Sequence, residues 1–433
     1  MSHASVRASA LPSQRAFFGE RVVRAAFVLA IFGWGVGLYG PPIFLHAVVQ
    51  RTGWPLAMVS WAVTLHFLFG ALVVVNLPRA HRRYGVPATI VAGACVTALG
   101  VIGWASARAP WQLFVAALLS GGGWVALGAV AVNAVIAPWY ERARPVALAK
   151  AYNGASIGGV IFSPLWVALI ASVGFVAASV GVGVAMMFVA WALSRWIFAR
   201  TPMELGQRPD GDAAGATCTS GGPAAPRALP GTALWRERRF RTLAAGMAIG
   251  LFVQIGLIAH LYHLLAGPLG VQAAGVAMGL ATAAAIVGRA IAARALLAGA
   301  DRRLAACAAL AVQLAGVLAL AAAGPQQTGW MLVGILLFGS GIGNATSLPP
   351  LIAQVEFAKD DVPRVIALIV GMAQAAYAFA PAVCGVMLTT LGGNDPQLGR
   401  GTGAFFMLAV ALQSIAIGCF VAGRRRQGRN PRK

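Results

Sequence analysis

The sequence predicts an all-α polytopic membrane protein whose twelve transmembrane helices form two pseudo-symmetric halves of six. Three observations carry that reading. Of the 433 residues, 59% are hydrophobic and 10% are charged, and the mean hydropathy is +0.78, a balance foreign to soluble domains of this length. The apolar residues fall into twelve runs of membrane-spanning length, none with the alternation of an outer-membrane strand. The cations are segregated: 29 of the 33 Lys and Arg fall at the termini and at or near alternate ends of the runs, Arg51, Arg108 and Arg400 fall on the other side, and Arg289 alone lies deep inside a run.

In chain order, a basic segment over 1–24 precedes spans expected at 25–48, 54–78, 86–107, 110–137, 146–172 and 174–198. The first span carries Gly40, Pro41 and Pro42, which should kink or break it and free carbonyls toward neighbours or a cavity. The N-terminal half, 25–200, gives way at 201–241 to a linker rich in Gly, Pro, Ala and Thr, expected to be mostly disordered and to end in the basic run Arg236 to Arg241. The C-terminal half, 242–423, has spans at 242–265, 272–297, 304–323, 328–352, 362–391 and 401–423, followed by a basic tail over 424–433. A duplication is legible at an offset of 217 residues. It overlays Gly154 on Gly371 and Pro164 on Pro381, each proline deep in a helix that follows a charged turn. Parallel repeats of this kind place a substrate site between the halves near the midplane.

The net charge of +22 orients the chain and does not predict a nucleic-acid partner. Under the positive-inside rule both termini and the linker face the cytoplasm, and the first span reads as an uncleaved helix. An Arg to Lys ratio of 30 to 3 with heavy alanine use suggests a GC-rich bacterial genome, hence a bacterial cytoplasmic membrane. The five cysteines, Cys95, Cys218, Cys307, Cys384 and Cys419, have neither metal nor disulfide spacing. The glycine runs Ser120 to Trp124 and Phe338 to Asn344 sit within spans and lack the Lys-Ser/Thr ending of a phosphate loop, so they read as close helix packing. No nucleophile with a base, no carboxylate pair and no metal cluster lies in the spans, which argues against an enzyme, and no cofactor is implied. No oligomer interface is readable.

Arg289 is the residue that needs an explanation. A guanidinium near the bilayer centre costs at least about 2.5–3.5 kcal/mol and by default marks a ligand or ion pathway. At about 1.5 Å per residue, Arg289 lies roughly 12 Å inside a helix that leaves the bilayer near Leu297, close to the middle of a hydrocarbon core about 30 Å thick. None of the eleven acidic residues falls inside a span, so Arg289 is left available to an anionic substrate, whose carboxylate its planar fork suits. With no intramembrane acid, histidine is the group that can take a proton near neutral pH: His66 in the second span and His260 in the seventh are the candidates for proton coupling. His260 and His263 share a helix face, but no Cys or carboxylate is at hand and no metal site is expected. Tyr39, Asn153, Gln374 and Tyr377 are polar residues within apolar helices, candidates for substrate contact or for interhelical hydrogen bonds.

The basic turn Arg79 to Gly85 after the second span, its counterpart Gly299 to Arg303 after the eighth, and the tract Ala137 to Gly159 resemble the major facilitator superfamily. That tract, with Thr52 to Leu65 and Ile258 to Leu265, is similar to the monocarboxylate porter and oxalate/formate antiporter branch. The resemblance implies a twelve-helix transporter with Arg289 as the anion-binding arginine, His260 at the branch's Ile-Ala-His position, and Asn153, Gln374 and Tyr377 on the cavity-lining fifth and eleventh helices. There are departures. The acid usual in the first basic turn is replaced by Arg82, Ala285 stands where proton-coupled animal members carry an Asp, and the eleventh span has no lysine after its basic start. A cytoplasmic gate is expected from Arg142, Arg144, Asp301, Arg302 and Glu356, pairing when the halves close on that side.

The expectation is a secondary active transporter that moves a small organic anion, a mono- or dicarboxylate, by alternating access in the lipid bilayer, with proton coupling, exchange and facilitated diffusion all left open. The alternatives are efflux of a larger hydrophobic compound and a transport-dead membrane sensor.

Overall fold

The computed structural model describes residues 17–141, 143–211, 232–324, 326–358, 361–390 and 400–424. Among these there is no strand, and twelve helical spans are long and apolar enough to cross a membrane. The first half holds α1 (Gly19–Thr52), α2 (Leu56–Tyr84), α3 (Val86–Ser106), α4 (Pro110–Ile136), α5 (Val146–Val173) and α6 (Phe175–Phe198). The second holds α7 (Arg238–Leu269), α8 (Val271–Leu296), α9 (Arg302–Ala322), α10 (Thr328–Glu356), α11 (Arg364–Thr390) and α12 (Thr402–Ala422). Leu72, Phe188 and Met407 are each more than 60% exposed, as side chains bathed in lipid would be.

The linker departs from expectation at both ends. Gln207 accepts a hydrogen bond from the Phe18 N–H at 2.9 Å, and the Asp210 N–H donates to the Trp139 carbonyl at 2.9 Å, so residues 201–211 are fastened to the first half. The basic residues 238–241 form the first turn of α7 because Phe240, 1% exposed, packs with Leu243, Met247 and Phe420. The middle of the linker, the chain before residue 17, the tail after 424 and Arg142 lie outside the described residues.

Proline decides where the spans bend. α1 is interrupted at Leu38 and Tyr39, between helical stretches Gly19–Gly37 and Gly40–Thr52. Pro41 has no N–H to offer the Gly37 carbonyl four residues back. His66 supplies the missing donor, its Nε2 lying 2.9 Å from that oxygen while Nδ1 lies 2.9 Å from Ser120 Oγ and the ring stacks on Trp124. α11 is likewise interrupted at Phe379, just before Pro381, and there the Ala382 N–H donates to Thr64 Oγ1 of α2 at 3.0 Å. Pro164 instead sits inside an unbroken α5. The 217-residue repeat extends beyond the stretch that first shows it. It carries Gly53 onto Gly270, and these two glycines, at φ +67° and +81°, end α1 and α7 in the left-handed region that an L side chain resists.

Across the halves, α5 packs on α8, α2 on α11, and the last turns of α1 on α7. The face where α2 ends and α9 begins is called here the basic face, and the opposite one the distal face. On the basic face of the second half, the Arg303 guanidinium is 2% exposed and ties its own helix to three others, its Nη1 reaching the Phe420 carbonyl of α12 at 3.4 Å. Its Nε and Nη2 donate to the two carboxylate oxygens of Glu356 at 2.6 and 2.8 Å, Nη1 to Thr242 Oγ1 at 3.2 Å, and Nη2 to the Arg239 carbonyl at 3.1 Å. Asp301 caps α9, accepting from the N–H groups of Arg303 and Leu304 at 2.8 and 3.1 Å, and pairs with Arg424 Nε at 3.0 Å.

Glu356→Ala would strand a buried guanidinium, and thermal unfolding of the purified protein should show a loss of about 3 kcal/mol or more. For Asp301, burial raises the carboxyl pKa, but the Leu304 N–H, the Arg424 side chain and the Arg303 N–H outweigh it and hold the group below its ordinary value. A folded pKa below the unfolded one stabilises the fold above the unfolded value and ceases to do so as pH falls through the folded one. Parent and Asp301→Asn should therefore differ in melting temperature at pH 7, and the gap should close below about pH 4.

Candidate functional site at the seam between the halves

Arg289 sits on α8, one face of which lies against α10 and another against α5. Its stem crosses Gly343 of α10, where a methyl group would stand 2.5 Å from Arg289 Cδ, so only glycine leaves the stem its path. The guanidinium reaches out of its own half: Nη2 donates to Ser156 Oγ on α5, a hydroxyl 5% exposed. Nε is buried and has no hydrogen-bond partner, and no carboxylate pairs with Arg289 among the described residues. A half-buried guanidinium with a buried, unpartnered Nε and a single serine partner is a positive charge without a counter-ion among the described residues.

Tyr39, at the break in α1, lies within electrostatic reach of Arg289 and packs with Thr282 of α8 against Gly159 of α5. Asn153 is one helical turn from Ser156 toward the basic face and is exposed. Gln374, partly buried, lies about one helical turn before Tyr377 on α11. Tyr377 stands edge-on to Phe67 of α2 at 6.1 Å, and neither residue hydrogen-bonds Arg289. His66 has both ring nitrogens engaged inside the first half.

Toward the distal face the seam is closed by polar pairs that bridge the halves. His260 Nδ1 lies 3.1 Å from the Gly256 carbonyl, to which it donates, and Nε2 lies 3.0 Å from Ser60 Oγ across the seam. Ser60 is itself 2.8 Å from the Leu56 carbonyl. One turn farther out, His46 Nδ1 and His263 Nδ1 are 3.1 Å apart. On the basic face, Arg302 donates to the Leu351 carbonyl, while Glu356 and Asp301 are bonded as described above. All of these partners lie within the second half. Arg144 opens the helix of α5 and is half-buried.

Ser156, Ser60 and Thr64 carry bonds that sequence reasoning passed over, because a serine or threonine in an apolar helix usually bonds its own preceding turn and gives no signal of reaching a partner far along the chain. The His46–His263 pair did have a signal. The 217-residue offset carries one histidine onto the other.

Comparison with known proteins agrees with this architecture. A family model described as Major Facilitator Superfamily matches residues 25–381. Among curated proteins, the chain is 26% identical over 186 residues to the MFS transporter asaE of Aspergillus flavus, covering 42% of this chain and 40% of that one. It is 29% identical over 153 residues to Monocarboxylate transporter 13 of Bos taurus, covering 34% and 35% of the two chains. These matches therefore span well under half the length of either relative. Among solved structures, the nucleoside transporter NupG shares the fold with a TM-score of 0.67 at 11% identity, over 94% of this chain and 98% of that one. A bacterial homolog of the human lysosomal transporter Spinster, inward-facing and unoccupied, does so with a TM-score of 0.64 at 15% identity, over 95% and 100%. With a family model matching most of its length and twelve helices arranged in two halves, the chain belongs to the Major Facilitator Superfamily.

Proposed function

We propose that this protein is a secondary active transporter that moves a small organic anion, a mono- or dicarboxylate, across the bacterial cytoplasmic membrane by alternating access of its two halves. The observation that carries this reading is Arg289: a guanidinium deep in a span, with a buried Nε lacking a partner and, among the described residues, no carboxylate to neutralise it. A substrate carboxylate supplies the missing charge. Tyr39 and Asn153 flank the bound anion, and Gln374 and Tyr377 of α11 line the cavity farther along the seam. The partial likeness to a protein named a monocarboxylate transporter favours the same substrate class, whereas the structural neighbours speak for the fold alone.

With the basic face cytoplasmic, the histidine and serine pairs are the closed extracellular gate. Arg144, Arg142, Asp301, Arg302 and Glu356 then re-pair across the halves when the cytoplasmic side closes. For coupling, His260 is the better placed of the two candidate histidines. Neutral, its Nε2 accepts from Ser60. Protonated, it donates to Ser60, whose hydroxyl hydrogen then points wholly at the Leu56 carbonyl, so a proton can be held on the imidazole without breaking the contact between halves. His66 caps the broken end of helix α1 and supports the cavity wall.

In proteoliposomes given labelled carboxylates under an imposed pH gradient, Arg289→Ala should abolish uptake. Arg289→Lys, which keeps the charge but not the fork, should retain about a tenth or less. Undiminished transport by Arg289→Ala would overturn the anion site. Gly343→Ala, which displaces the Arg289 stem, should raise the KM about tenfold with the melting temperature little changed. His260→Gln should lose pH-driven accumulation while keeping exchange of substrate for substrate.

A further inference from the structure

His46 and His263 occupy equivalent positions of the duplicated halves, related by the same 217 residues that relate Gly53 to Gly270. They meet where α1 and α7 come together at the distal end of the seam. Their Nδ1 atoms are 3.1 Å apart, and the rings are 5.3 Å apart at 59°. Tyr262 packs edge-on against His46 at 5.0 Å and holds its ring. His46 also borders a cavity of about 420 Å3 that reaches the distal surface, with Gln50 and Tyr262 on its wall.

We infer that this pair is a binding site for a zinc-like divalent transition-metal ion, held by the two imidazoles across the seam and locking the distal side shut. Zinc takes imidazole nitrogen at about 2.0–2.1 Å, which sets two tetrahedral ligand nitrogens about 3.3 Å apart. The two Nδ1 atoms stand within a few tenths of an ångström of that separation before any ion is present. In the metal-free form one nitrogen donates its proton to the other. In the metal form both give their lone pairs and carry their protons on Nε2, an exchange of tautomers that adds no charge to either ring. The remaining positions fall on the cavity side, where water and the Gln50 side-chain carbonyl are the available oxygens. Arg51 also lines this cavity, with its Nη2 held by the carbonyls of Trp104 and Ala107 at 3.3 and 2.9 Å.

Because each half supplies one ligand, the ion bonds fully only while the distal ends are together, and it shifts the population toward this state by that difference in affinity. The site is thus an inhibitory one, reached from the distal side. It rests on the movement of the two halves and does not depend on the nature of the substrate.

The test is a titration of purified full-length protein with zinc chloride at pH 7.5, read by thermal unfolding and by calorimetry. One ion should bind and raise the melting temperature, in contrast to magnesium chloride, whose hard cation does not favour imidazole nitrogen. His46→Gln and His263→Gln, which keep bulk and a polar tip, should each raise the half-saturating zinc concentration about tenfold or more. Cys384→Ala, which removes a thiol beside the gate, and Arg289→Ala should leave the response intact, the latter separating this site from the anion site. Absence of zinc stabilisation in the parent, or an equal response in the double histidine variant, would overturn the inference. In proteoliposomes, zinc added on the distal side should slow exchange in the parent and not in the double variant.

Discussion

Inside a bilayer the backbone has no water to turn to, so every carbonyl and N–H released by a proline must find a partner within the protein. Much of this structure follows from that demand. Pro41 deprives the Gly37 carbonyl of its donor, and the fold answers with His66, whose other nitrogen is then tied to Ser120 and through it to Trp104. Near Pro381 the free N–H of Ala382 is answered by Thr64 from the opposite half. The first repair stiffens the N-terminal half around the break that presents Tyr39. The second joins the halves. A bond inside the first half and one between the halves thus have a common origin in proline.

Charge is settled in an equally local way. The second half keeps its own basic-face ions occupied: Arg303 with Glu356, Asp301 with Arg424, Arg302 with a carbonyl. Among the described residues no carboxylate pairs with Arg289, whose stem is steered by Gly343 toward Ser156 of the other half. A cation in this position is stable enough to persist because its guanidinium is partly hydrogen-bonded. It remains short of a counter-charge because the donor set exceeds what one hydroxyl can accept. That imbalance is the property a transport site for anions requires.

The distal closure combines two kinds of contact with different responses to protons. His260 and Ser60 can hold one more proton between them and stay bonded. His46 and His263 cannot both carry a proton on Nδ1 without turning two donors toward each other. Both pairs lie on α1, α2 and α7, the helices that must part for the distal side to open.

Hydropathy, charge segregation and the 217-residue repeat were sufficient to read twelve helices in two halves, because the bilayer imposes length and apolarity on each span separately and needs no knowledge of its neighbours. They were also sufficient to single out Arg289, since the cost of a cation at that depth depends on position along one helix. The partners were not legible. Which hydroxyl meets Arg289, which histidine caps the Gly37 carbonyl, and that Glu356 pairs with Arg303 inside one half are matters of rotation and approach between helices far apart in the chain. An apolar helix offers lipid and protein nearly the same surface, so its sequence says little about which way it turns. Composition and spacing determined that this chain spans the membrane and carries a cation deep in one span. Only tertiary packing decided that the cation faces the other half, and that two histidines related by duplication meet at the seam.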